Sequence, residues 1–111
     1  MHFEKKFLKE LSTSIFGWKS EHKIVISKIL NSSKIYDIEF LKINFSTNGF
    51  LILEERILKK ILLGNDAKII DTQLKKISNI KNKLTDEKIL QKLDTIDLTD
   101  PQRPKIKVFK P

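Results

Sequence analysis

Leu53-Glu54-Glu55-Arg56-Ile57-Leu58-Lys59-Lys60-Ile61-Leu62-Leu63-Gly64-Asn65-Asp66, with the run to Leu84 behind it, is the stretch on which the fold turns. Leu53, Ile57, Leu58, Ile61 and Leu62 recur at helical spacing and make one apolar stripe. Glu54 and Glu55 stand in the first turn of that helix, Lys59 and Lys60 toward its end, as the helix dipole prefers. Gly64 can take the left-handed conformation that closes a helix, and Asn65 or Asp66 can cap the next one. Ile70, Leu74, Ile77, Ile80 and Leu84 then share a second stripe. A connection this short makes antiparallel neighbours, so the stretch predicts a C-terminal helical hairpin.

Upstream, Lys34 to Leu53 is the best strand candidate. Tyr36, Ile38 and Phe40 alternate with Asp37 and Glu39. The apolar parity then shifts to Leu41, Ile43 and Phe45, as a bulge at Phe40-Leu41 would cause. Asn48-Gly49 is a strong hairpin signal, because both residues tolerate positive φ. A β-hairpin over about 34–53 follows, and a helix from Ser33 to Phe45 is the alternative. Ser20 to Leu30 reads as a helix capped by Ser20, with Asn31-Ser32-Ser33 as a turn. His2 to Phe16 reads as an amphipathic helix stopped by Gly17.

Downstream, Thr85-Asp86-Glu87 marks another helix start, and Ile89, Leu90, Leu93 and Ile96 carry its stripe to about Ile96. Pro101 and Pro104 then favour extended backbone. Lys105-Ile106-Lys107-Val108-Phe109 begins as an alternation of basic and apolar residues.

The chain has 111 residues, enough for one domain with a core that needs no metal or disulfide. It contains no cysteine, which rules out disulfides and thiolate metal sites and fits a reducing compartment. The 17 Ile against one Ala, and 20 Lys against two Arg, point to an AT-rich genome. That bias discounts the lysines as evidence of phosphate recognition, for which the planar fork of Arg is better suited. The net charge of +8 still favours acidic partners. Residues 85–100 carry −3 and residues 101–111 carry +4, so the strongest opposite charges adjoin. No run of about 18 apolar residues exists to span a membrane. Lys9 and Glu10 interrupt any secretory signal core, and the expected location is cytoplasmic.

No catalytic set stands out. The glycines Gly17, Gly49 and Gly64 are isolated, so no phosphate loop or dinucleotide turn is present. His2 and His22 are the only histidines, too few for a nucleophile relay or a zinc site. Asp94, Asp97 and Asp100 read as a solvated acidic end rather than a cation loop, which needs glycine and more oxygen ligands.

The expected fold is therefore α+β and mainly helical, with N-terminal helices, one β-hairpin (about 34–53), a C-terminal helical hairpin and an extended tail. An all-α fold is the alternative. Residues 1–100 make a single globular domain, and 101–111 an extended basic tail. The expected function is a non-enzymatic interaction or assembly subunit without metal or cofactor. A protein partner or self-association would engage apolar helix faces and Arg103, Lys105, Ile106, Lys107, Val108 and Phe109, a tail suited to strand addition at an exposed sheet edge, on a partner or on this domain's own hairpin. The alternative is a small nucleic-acid-binding protein that uses Lys68, Lys75, Lys76 and Lys83, which share one stripe of the 66–84 helix.

Overall fold

In the computed structural model, which describes residues 13–109, the deciding stretch is not a helix. Leu51–Glu55 and Lys59–Gly64 are antiparallel strands joined at Arg56-Ile57-Leu58. The Glu55 carboxylate makes that turn. Its Oε1 accepts the N–H groups of Ile57 (2.8 Å) and Leu58 (2.9 Å), the task usually left to Asn or Asp. Lys59 then takes a left-handed φ of 68°, which lets the chain reverse without glycine. Leu53 and Ile61 face the core, while Glu54 and Lys60 face away, a period of two rather than 3.6.

The elements run β1 (Ser14–Phe16), α1 (Lys23–Tyr36), β2 (Phe40–Phe45), β3 (Leu51–Glu55), β4 (Lys59–Gly64), α2 (Ile70–Lys83), α3 (Glu87–Lys92), β5 (Leu93–Asp97) and β6 (Lys105–Val108). Short 3-10 turns, Ser20–His22 and Ala67–Ile69, lead into α1 and α2. The fold is α+β around one six-stranded mixed sheet, in the order β1-β2-β3-β4-β5-β6. An antiparallel meander, β2-β3-β4, stands at its centre. Parallel pairs flank it, β1 with β2 through α1 and β4 with β5 through α2. Both crossovers step the same way along the sheet, so one shared handedness places both helices on one face.

The register explains the core. One row of side chains crosses every strand: Ile15, Ile43, Leu53, Ile61, Ile96 and Ile106. The four central members are buried against Ile29 of α1 and Ile70, Leu74 and Ile77 of α2. The neighbouring row, Ser14, Lys42, Glu54, Lys60, Thr95 and Lys107, points to the opposite face. Gln73 ties helix to sheet, because its Nε2 donates to the carbonyls of Leu63 (2.7 Å) and Leu98 (2.9 Å).

Several expectations are corrected. The chain is not mainly helical and has no C-terminal helical hairpin: α2 returns to the sheet, and its C-terminal neighbour α3 is only six residues long. The helix expected to reach Ile96 ends at Lys92, and Leu93–Asp97 is a largely buried interior strand between β4 and β6. The hairpin expected over 34–53 is narrower, since α1 runs through Asn31-Ser32-Ser33 to Tyr36. Ser32 stays inside the helix by returning its hydroxyl to the Ile29 carbonyl (2.7 Å). Asp37, at φ 54°, closes α1 in the left-handed conformation. The β2–β3 register shifts between Phe40 and Lys42, where the apolar parity breaks. The expected helix of residues 2–16 falls largely outside the described residues, and its last three residues are β1.

Candidate partner-binding edge

Pro101 is buried, and Asp100 shapes the turn beyond it by accepting the Gln102 N–H at Oδ1 (3.0 Å) and the Arg103 N–H at its carbonyl (3.0 Å). The chain therefore reverses after β5, and Lys105–Val108 pairs antiparallel with it as the last strand of the sheet. All four residues of β6 are exposed.

The direction of each backbone group on β6 follows from one bond. Phe109 N–H donates to the Lys92 carbonyl (2.7 Å), toward β5. Backbone groups alternate sides along a strand, so Lys105 and Lys107 also point toward β5. The N–H and C=O groups of Ile106 and Val108 then point outward, along an edge that no other described strand pairs with. Side chains alternate by face as well. Ile106 and Val108 lie on the helix side, in register with Ile96 and Leu93, yet each remains nearly half exposed because α1 and α2 do not reach this far. Phe109, beyond the strand, is 60 % exposed. Lys105 and Lys107 lie on the opposite face beside Asp97 and Thr95. Arg103 stands in the exposed turn before the strand.

The expected site residues thus fall into two places. Arg103, Lys105, Ile106, Lys107, Val108 and Phe109 lie together at one sheet edge. Lys68, Lys75, Lys76 and Lys83 lie on the outer side of α2 and the 3-10 turn before it, apart from that edge. Asp71, beside this lysine face, pairs with Lys28 of α1 (2.9 Å). Lys81 leaves it altogether, to bind Glu55 (3.1 Å).

The Asp97 carboxyl, near the edge, has its pKa lowered. The Thr99 hydroxyl (2.7 Å) and N–H (3.0 Å) both donate to its Oδ1 and hold it below the usual carboxylate range. Lys105 and Lys107 add to the effect. Asp94, Asp97 and Asp100 do not converge, and among the described residues no three His, Cys, Asp or Glu side chains group as a metal site. Also among these residues, no helix is long and apolar enough to cross a membrane.

Sequence reasoning pointed to the residues of β6 but not to the outward N–H groups of Ile106 and Val108, which need the pairing partner to be known. It also passed over the contact of His22 with Phe45, whose rings stack at 4.0 Å. Comparison with models of known protein families finds no match, and comparison with curated proteins finds none.

Proposed function

We propose that this chain is a non-enzymatic interaction module, an assembly subunit that accepts an extended segment of a partner along β6. The observation that carries the reading is the edge itself, with outward N–H and C=O groups at Ile106 and Val108. An added strand would satisfy those groups and extend the sheet. Its side chains have to alternate to match β6. Apolar residues on one side would cover Ile106 and Val108, and acidic residues on the other would meet Lys105 and Lys107. Arg103 would add charge at one end of the groove.

The same pattern works against self-pairing. Two antiparallel copies of β6 would set Lys105 and Lys107 against one another on one face, and directly opposed like charges destabilise a strand pair. The edge therefore favours an acidic partner over a second copy. The lysine face of α2 offers no comparable row of outward backbone groups, since a helix satisfies its own.

The test uses the full chain and a labelled, capped hexapeptide that alternates isoleucine and glutamate. Fluorescence anisotropy should show saturable binding that a matching isoleucine–lysine peptide lacks. Val108→Pro removes an outward N–H without touching the β5 ladder, so it should abolish binding and leave the melting temperature nearly unchanged. Equal binding of both peptides, or full binding by Val108→Pro, would end the strand-addition reading. Salt-dependent binding to generic duplex DNA in the same assay would instead favour the lysines of α2.

A further inference from the structure

A cleft of about 360 Å³ opens at the end of the sheet where β2 and β4 finish and α2 begins. Its lining includes no residue of β5 or β6. Its floor is made by Phe45, Leu51, Leu63 and Ile70, all buried. Its rim is made by Glu21, Asn48, Asn65 and Asp66, all exposed. An apolar floor under a few polar groups, at this volume, is the ordinary form of a small-molecule site.

The walls are fixed. Lys19 N–H donates to His22 Nδ1 (3.0 Å), so the neutral imidazole carries its proton on Nε2. The ring is locked flat against Phe45, with 3° between the planes. Gln73 is held by both of its carbonyl partners. None of these groups has to move to admit a ligand.

The charge of the lining runs against that of the chain. Lys and Arg make up 22 of the 111 residues, yet none of those among the described residues lines the cleft. Lys19, Lys23 and Lys68 flank its elements in sequence and still stay out of it. The ionisable residues that do line it are Glu21, His22 and Asp66. A helix start would ordinarily draw an anion. Here Asp66 already fills that role, since its Oδ1 accepts the Lys68 N–H (3.0 Å). Glu21 is tied to no helix cap; its Oε1 lies 3.9 Å from His22 Nε2, and 73 % of its side chain is exposed at the mouth.

We propose that this cleft binds a small organic cation, an alkylammonium whose aliphatic stem lies on Phe45, Leu51, Leu63 and Ile70 and whose charged head meets Glu21 at the rim. The stem is desolvated by the floor, and the ammonium replaces water at an anionic rim that no lysine neutralises from within.

Hexylammonium, hexanoate and hexanol share one stem and differ in the head group. Each is titrated into the full chain at constant ionic strength, and backbone amide shifts are followed by NMR. Hexylammonium should give saturable shifts at Gly49, Gly64 and Ile70, with an affinity about tenfold above that of hexanoate, as expected for one charge contact near a surface. Glu21→Gln should remove most of that preference. Asp66→Asn keeps the helix cap and should reduce it further. Ala67→Phe, which narrows the mouth, should weaken hexylammonium and hexanol alike. Hexanoate binding as tightly as hexylammonium, a preference unchanged in Glu21→Gln, or no saturable shift with hexylammonium would each overturn the proposal.

Discussion

Replacing Glu55 by alanine should be among the most damaging single substitutions in this chain. Its side chain is fully buried. Oε1 accepts the N–H groups of Ile57 and Leu58, and Oε2 accepts the Glu39 N–H (3.2 Å) and Lys81 Nζ (3.1 Å). Alanine would strand three backbone donors and leave an ammonium only 21 % exposed without its counter-ion. Breaking a buried pair by removing one partner costs about 3–5 kcal/mol. The Ile57 end is open enough for water to replace one bond, so the lower half of that range is expected. Glu55→Gln keeps the shape and one acceptor oxygen and should cost about 1.5–3 kcal/mol, the span of a bond to a charged group. Lys81→Met takes the counter-ion from a fully buried carboxylate but leaves its three backbone bonds intact, so it should cost less than Glu55→Ala, about 2–3 kcal/mol. Urea unfolding followed by far-UV circular dichroism measures all three against a net stability of about 5–15 kcal/mol for a domain of this kind. A loss below about 1 kcal/mol for Glu55→Ala, or an equal loss for Lys81→Met, would show that the carboxylate does not hold the β3–β4 turn.

Gly17→Ala and Gly49→Ala share the strain of positive φ, at 69° and 81°, but only the first places a Cβ against protein, 2.0 Å from the Phe45 carbonyl oxygen. Gly49→Ala should cost about 1 kcal/mol and Gly17→Ala several times that, and equal midpoints in urea would contradict the difference. Gln73→Leu should destabilise by about 2–4 kcal/mol, because it orphans the buried carbonyls of Leu63 and Leu98; a neutral result in thermal unfolding would mean that they find other donors. Thr99→Val should raise the titration midpoint of Asp97, read by carboxyl carbon NMR. With its folded-state value depressed, Asp97 contributes stability above its ordinary value of 3.8, and that contribution fades as pH falls through the folded value. Thr99→Val should therefore flatten the acid limb of the stability profile, and an unmoved midpoint would refute the assignment.

The misreading of Leu53–Leu63 has a physical cause. Strand alternation places Leu51, Leu53 and Glu55 on the buried face, and a charge at the third position hides the period of two. The turn that follows contains no Gly, Pro, Asn or Asp, because Glu55 supplies the bonds and Lys59 the left-handed backbone. With its turn disguised, a β-hairpin rich in Leu, Ile, Glu and Lys also matches the composition of a good helix. Leu93–Asp97 was hidden differently, since Lys92 passes from α3 into β5 with no breaking residue between them. The basic and apolar alternation of 105–108 was legible, because one exposed strand leaves its pattern unmasked by a core. The cleft was not, since Glu21, Phe45 and the Leu63–Asp66 stretch come from three separate segments that only the fold brings together.

The strands of this sheet lie side by side in the order in which they occur along the chain. No strand has to be inserted between two others, so the sheet can grow by accretion, each new strand docking on the last. A ribosome releasing the chain from its N-terminus would present a paired edge at every stage, with a helix laid over it after β1 and again after β4. Large proteins commonly lose material to aggregation while a central strand waits for a late neighbour. Here the waiting group is always at the growing margin, and each described strand docks without trapping anything behind it.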